Sequence, residues 1–295
     1  MESGQPTSYG LYEPLTVEPS DIRLLILLRG AQQDPIQCRL EHVSLINDPD
    51  YEALSYTWGD ASVTQPIQVN GGLRQVTRNL VSALHHLRHE DRDRHLWVDA
   101  VCINQSNTTE RGQQVSIMGQ IYSMAKNVVV WLGSEQSVGP DALRPFSFLT
   151  QLPALGQLKS VLNEQLPEEL SASSFSRLSI DDGENKQSPA DFKGDTVLLA
   201  FTVLYMLSGD AHILALVQQG TPEQDAFRER ILRALLEIFE RPWWNRMWVV
   251  QEIVLAREVT VMYGHISAPW EMFARAGLAI ERHRNSCCFE TRSHV

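Results

Sequence analysis

The sequence predicts an α/β fold: a central, mainly parallel sheet flanked by helices, with additional β-hairpins. Two aliphatic runs, Leu96 to Ile103 and Val128 to Leu132, are nearly apolar throughout, as expected of strands covered on both faces. The segment between them has helical apolar spacing and a helix-start signal, so the three together read as a βαβ unit. Other short aliphatic runs end at glycine and alternate with further amphipathic segments.

In chain order, residues 1–20 contain Pro6, Pro14 and Pro19 among small polar residues and read as a flexible lead-in. Ile22 to Leu28, Cys38 to Leu45 and Tyr51 to Trp58 read as strands. Pro66 to Val69 and Leu73 to Val76 flank Asn70-Gly71-Gly72, residues that tolerate positive φ, so these runs form a hairpin. Leu80, Ala83, Leu84 and Leu87 mark a helix, with Asn79 as its expected N-cap. The helix before the Val128 strand opens with Asn107 and Glu110 at capping-box spacing, and Val115, Met118, Tyr122 and Ala125 form its predicted buried stripe. The apolar run Thr196 to Leu207 has only 12 residues, too few for a bilayer span of about 20, and reads as a buried helix. Thr221-Pro222 starts a helix that runs to Arg241-Pro242. A second helix carries Trp244, Met247, Trp248, Gln251, Glu252 and Leu255; Val259 to Tyr263 is a strand, and a last helix spans about Trp270 to Ile280. The expected organisation is one domain over 21–285, with 286–295 as a tail. Residues 163–195, with eight acidic against three basic side chains, form a flexible acidic insertion within it.

The 295 residues, 43% hydrophobic and 21% charged, exclude a wholly disordered or fibrous chain. A formal charge of −11 argues against nucleic acid and anionic membrane as partners. The start of the chain has no secretory signal, and four cysteines without C-x-x-C spacing suit a reducing compartment, so a cytoplasmic location is expected.

Five of the seven tryptophans fall in three polar islands: Ser55 to Asp60, Trp97 to Gln105, and Arg241 to Glu252. The first two lie at predicted strand ends, where open α/β sheets bind ligands. In the third, Trp244, Trp248 and Glu252 are spaced four apart and would share a helix face. That would set a carboxylate beside an aromatic wall, able to accept bonds from sugar hydroxyls. Alternatively, the tryptophans are core and Glu252 pairs with Arg246 or Arg257. Asp99, inside an apolar run, needs a partner, structural or ligand. Arg241 and Arg246 either hold an anion or cover acidic neighbours. His85 and His89 are one helical turn apart with no third ligand at metal spacing, and Cys102 reads as a buried thiol rather than a nucleophile, so no metal site is expected. No G-x-S-x-G, P-loop or G-x-G-x-x-G occurs.

Taken together, YEALSYTWGD (51–60), LWVDAVCINQ with TTERGQQVSIMGQIYSMAKNVVVWLG (96–133) and RPWWNRMWVVQE (241–252) strongly resemble the fungal heterokaryon-incompatibility (HET) domain. The resemblance covers about residues 11–275. It implies a role in fungal non-self recognition that ends in programmed cell death, a homo-oligomer, and incompatibility partner proteins. HET domains are in turn thought to be distant relatives of Toll/interleukin-1 receptor (TIR) domains, which implies TIR-like, flavodoxin-like layering. Ala53 to Tyr56 looks like the first TIR strand, and Trp248 to Glu252 like the helix bearing a W-x-x-x-E pattern. Several TIR domains cleave NAD+ with that glutamate. The resemblance therefore implies Glu252 as catalytic acid and NAD+, hydrolysed or cyclised, as substrate with no cofactor required; Ser55, Tyr56, Trp58, Asp99, Arg246 and Trp248 are the expected substrate-binding residues. The alternative is a non-enzymatic TIR-like module that signals by self-association and partner recruitment.

Overall fold

A computed structural model describes residues 12–15, 20–134, 179–180, 196–210 and 222–286. The acidic insertion expected at 163–195 lies outside the described residues apart from Ser179 and Ile180, as does the tail beyond Ser286. The structure packs as two compact units, one drawn from Met1–Leu54 and Trp58–Lys126, the other from Ser55–Thr57 and Asn127–Val295.

The first unit contains β1 (Asp21–Leu27), β2 (Gln37–Ser44), the start of β3 (Glu52–Tyr56), β4 (Thr64–Val69), β5 (Gly72–Thr77), α1 (Arg78–Leu87), β6 (Arg94–Trp97), α2 (Asp99–Cys102), α3 (Thr108–Ser116) and α4 (Met118–Met124). Its strands lie in the order β5-β4-β2-β1-β6-β3. The expected hairpin forms between β4 and β5, where Asn70 (φ 51°) and Gly71 (φ 78°) take the left-handed geometry that a two-residue turn requires. β1 is buried along nearly its whole length, with β2 and β6 on either side, both antiparallel to it. Leu24, Leu25, Leu27, Leu80, Leu84, Leu96 and Trp97 are among the side chains that fill this core. Trp97 meets Tyr122 edge to face at 5.5 Å.

The second unit contains the end of β3, then β7 (Asn127–Trp131), β8 (Ser179–Ile180), α5 (Thr196–Ser208), α6 (Pro222–Phe239), a 3-10 turn at Pro242–Asn245, α7 (Val249–Val254), β9 (Val259–Tyr263), β10 (Ile266–Pro269) and α8 (Trp270–Ser286). Its later strands are ordered β7-β9-β10-β8. Phe201, Phe239, Trp243, Trp244, Trp270 and Phe273 interlock as an aromatic core, with ring centroids 4.8 to 6.4 Å apart. The apolar run at Thr196 is a 13-residue helix, and among the described residues no helix is long and apolar enough to cross a membrane.

Besides α1, whose N-cap is Thr77 with Asn79 already inside the helix, three expectations need correction. The fold is α/β, but its sheet is mixed rather than mainly parallel. Within the two units, β2–β4, β3–β6 and β7–β9 are parallel, whereas β1–β2, β1–β6, β4–β5, β9–β10 and β8–β10 are antiparallel. Short links such as Asn70-Gly71 and Gly264-His265 leave no room for a crossover, so they force antiparallel neighbours. Second, the Leu96 strand stops at Trp97. The amides of Val101 and Cys102 turn back onto the Val98 carbonyl, and Asp99 opens α2 instead of lying within a strand. An apolar run reports burial, which a strand and a helix satisfy equally well. Third, the helix expected before β7 breaks at Ile117 (φ −105°, ψ 6°), which rotates Val115 out to the surface while Met118, Tyr122 and Ala125 stay buried.

Candidate functional site

Ser55, Trp243, Arg246 and Glu252 form a buried polar cluster in the second unit. Ser55 sits at the inner end of β3, Trp243 in the 3-10 turn that follows Pro242, and Glu252 in α7. Arg246 occupies the joint between turn and helix in extended geometry (φ −82°, ψ 132°). Its guanidinium grips the Glu252 carboxylate bidentately: Nη1 donates to Oε2 at 3.0 Å and Nη2 to Oε1 at 2.9 Å. The Ser55 hydroxyl donates a short hydrogen bond to Oε2 of Glu252. The same hydroxyl oxygen accepts from the Trp243 indole N–H at 2.7 Å and, more weakly, from Arg246 Nη1 at 3.4 Å. Glu252 is 0% exposed, whereas the Arg246 side chain keeps 20% of its surface in solvent. The carboxylate is thus held as an oriented anion, its Oε2 shared between a hydroxyl and a cation. Such a group can stabilise developing positive charge or order a hydroxyl.

Trp58 and Asp99, both in the first unit, form a second pair. The Trp58 indole donates to Asp99 Oδ2 at 2.9 Å, and Oδ1 accepts the Ala100 amide at 2.7 Å. Asp99 therefore has the partner its position demanded, at the start of α2. Gln105 donates from its side chain to the Asp99 carbonyl at 2.9 Å. Trp58 remains 42% exposed.

The remaining expected site residues fall elsewhere. Tyr56 is buried in β3. Trp248 is the N-cap residue of α7 and half exposed, and Trp244 lies back in the aromatic core, where its indole donates to the Ile238 carbonyl at 2.8 Å. The single helix face expected to carry Trp244, Trp248 and Glu252 does not form. The extended backbone at Arg246 interrupts the helical spacing, so Trp244 and Glu252 belong to different elements. Pairing of Glu252 with Arg246, the simpler of the two sequence readings, is what the structure shows. Arg241 is structural: its guanidinium lies 4.2 Å from the Tyr263 ring centroid and pairs with Glu237 at 3.1 Å. Burial pushes the Cys102 thiol up to about 12, which suits a packed side chain and not a nucleophile. Among the described residues no group of three His, Cys, Asp or Glu side chains gathers as a metal site.

Two polar features escaped sequence reasoning. Trp243 orients Ser55, a contact that only tertiary folding creates. Arg23, in the middle of β1, is 1% exposed and pairs with Glu110 of α3 at 2.5 Å. It also donates to His42 Nε2, the Cys102 carbonyl and the Glu13 carbonyl. A lone arginine in an aliphatic strand was the available signal, since a buried charge must be partnered. Glu110 answers it, accepting in addition the Asn104 amide at 2.8 Å. Burial pushes the Glu110 carboxyl up, but the Arg23 and Asn104 bonds and the Arg23 charge outweigh it, leaving its pKa below the ordinary value.

An α/β domain with a mixed sheet and a buried Ser–Glu–Arg–Trp cluster is the class these features define. The family model of the heterokaryon incompatibility protein (HET) matches residues 51–252, a span that opens just before the Ser55 strand and closes on Glu252. The chain belongs to the HET family. It is similar to heterokaryon incompatibility protein 6, OR allele, of Neurospora crassa, with 28% identity over 272 residues covering 88% of this chain. The chain spans 35% of the length of that relative. No solved structure matches significantly.

Proposed function

We propose that this chain acts in fungal non-self recognition as a HET-domain effector of cell death, and that its chemistry is cleavage of NAD+ at the nicotinamide–ribose bond. The observation that carries the chemical reading is the Glu252 carboxylate, buried, anionic and shared with the Ser55 hydroxyl in the segment that resembles a TIR W-x-x-x-E helix. A buried ion pair adds little net stability over apolar side chains of the same volume, so a chemical use for this one is reasonable. In the reaction the C–N bond breaks with its electron pair leaving on the nicotinamide nitrogen. The ribose carbon passes through oxocarbenium character, and water adds there, losing a proton to give ADP-ribose. Glu252 stabilises the developing charge and orients the ribose, Ser55 orients Glu252, and the Trp248 indole is the proposed stacking surface, with Tyr56 in the same proposed lining. No cofactor is required, because nicotinamide is itself a good leaving group. Assembly as a homo-oligomer in the cytoplasm, with TIR-like layering, belongs to the same reading.

The test is NAD+ consumption by the purified chain at concentrations that permit oligomers. Wild type should consume NAD+ and Glu252→Gln should not. An intact NAD+ pool with wild type, or equal consumption by the Gln variant, overturns the reading.

A second reading is favoured by a different observation. Met247 (88% exposed), Trp248 (49%), Val250 and Leu255 present apolar surface around α7, as a docking module would. Here the protein kills by self-association and recruitment, and Glu252→Gln stays toxic in cells while polar substitutions at Met247 and Trp248 abolish toxicity.

A further inference from the structure

The Glu252 carboxylate is closed as it stands. Each of its oxygens is engaged by Arg246, one also by Ser55, and none of its surface reaches solvent. A ribose can reach it only if Arg246 lets go. Three features make Arg246 the part that moves. It lies outside regular structure, on an extended joint between the 3-10 turn and α7. Its side chain is the one in the ion pair that touches solvent. Among the described residues its Nε–H takes no part in the cluster, whose contacts all come from Nη1 and Nη2. Ser55 and Trp243, by contrast, are fully buried, and the Ser55 oxygen already donates once and accepts twice.

We propose that Arg246 is an exchange latch that trades the Glu252 carboxylate for a diphosphate group of the ligand, so that binding of the phosphates is what opens Glu252 to the ribose. This rests on the NAD+ reading above and adds to it which part of the nucleotide unlocks the site. The guanidinium fork fits two phosphate oxygens as well as it fits two carboxylate oxygens, so the exchange keeps its hydrogen bonds and its charge pairing. The unfavourable half of the exchange is the Glu252 carboxylate, left buried without its cation. A bare diphosphate offers the freed carboxylate no partner, so wild type binds it only weakly. A dinucleotide does, because its ribose hydroxyls, and then its developing positive charge, meet the freed carboxylate. Phosphate binding and ribose engagement are therefore coupled, and the latch keeps the acid covered when no nucleotide is present.

The coupling has a consequence that catalysis alone does not require. Removing the charge of Glu252 removes the competitor for Arg246, so the variant expected to lose NAD+ cleavage should bind diphosphate more tightly. The experiment is isothermal titration of the full chain with inorganic pyrophosphate and, separately, ADP. Wild type, Glu252→Gln, Arg246→Gln and Arg246→Lys are compared, with circular dichroism to confirm that each is folded. Glu252→Gln should tighten both ligands by about tenfold or more, Arg246→Gln should lose both, and Arg246→Lys, which keeps the charge but not the fork, should weaken both by about tenfold. Unchanged affinity in Glu252→Gln, or undiminished binding in either Arg246 variant, overturns the latch. So does a response confined to ADP, because the latch reads phosphate. Should Glu252→Gln fail to fold, the lysine variant decides alone. Failure of the latch is separable from failure of the NAD+ reading: tightened pyrophosphate binding without any NAD+ consumption would leave the latch standing and remove the reaction, and the converse result would do the reverse.

Discussion

Each unit of this protein buries an arginine against a glutamate, and the two pairs are built differently. Arg23 sits in the middle of a strand with all five of its N–H donors used, two on Glu110 and the others on His42, Cys102 and Glu13. The ring of Tyr12 lies against it at 5.0 Å and against Arg74 at 4.9 Å, and the Tyr12 hydroxyl lies 3.0 and 3.2 Å from the Val101 and Ile103 carbonyls. That arrangement ties the described part of the lead-in, β1, β2, α2 and α3 together and leaves nothing to move. Arg246 lies on an irregular joint, meets its glutamate through Nη1 and Nη2, and shares it with a hydroxyl that a tryptophan orients. A buried pair whose bonds are all spoken for is a tie of the fold. One held from an irregular joint, with one side chain partly in solvent, is the pair we propose exchanges partners.

The largest effect that tests this contrast should come from Glu110→Ala. It leaves Arg23 buried with its charge unanswered, and the expected loss is about 3–5 kcal/mol of unfolding free energy, read by denaturant titration. Acid should reach the same pair. Because the Glu110 pKa is depressed in the folded state, its contribution is fully present above the unfolded value of 4.5 and is lost as pH falls through the lower folded value. Wild type should therefore lose stability below about pH 4.5 by a component that Glu110→Gln lacks, visible when the two are unfolded across that range. Glu252→Gln should cost less, about 1–2 kcal/mol, because Arg246 can turn to water. Should it destabilise as much as Glu110→Ala, the two pairs are alike and the contrast is gone. Smallest is Trp58→Phe, which removes an exposed hydrogen bond to Asp99 and should cost about 0.5–1 kcal/mol in thermal unfolding.

Local chemistry was legible in the sequence where it is decided locally. Asn70-Gly71 announces its turn, Asn107 caps α3 by accepting the Thr109 and Glu110 amides, and Gly264 ends β9 with positive φ. Ser55, Arg246 and Glu252 stand out in the sequence, because polar residues among tryptophans are conspicuous. Their meeting was not legible. It depends on a break at Arg246 that helical spacing cannot reveal, and on β3 bringing Ser55 to a residue 197 positions away. The need of Asp99 for a partner is legible, but its place in a helix and not a strand is not, since continuous apolar character records burial and not backbone conformation. Direction of strand pairing is hidden for a related reason: the apolar runs are visible, but β1–β6 and β8–β10 pair antiparallel without being consecutive in the chain, which only the folded sheet reveals.

The central claim is that the Arg246–Glu252 pair serves chemistry and the Arg23–Glu110 pair serves the fold. Its most direct test is NAD+ turnover by the assembled chain, measured for wild type, Glu252→Gln and Glu110→Gln, each at a temperature where circular dichroism shows it folded. Turnover should vanish in Glu252→Gln and persist in Glu110→Gln. Turnover that survives in Glu252→Gln, or that is absent from the wild type, would contradict the assignment.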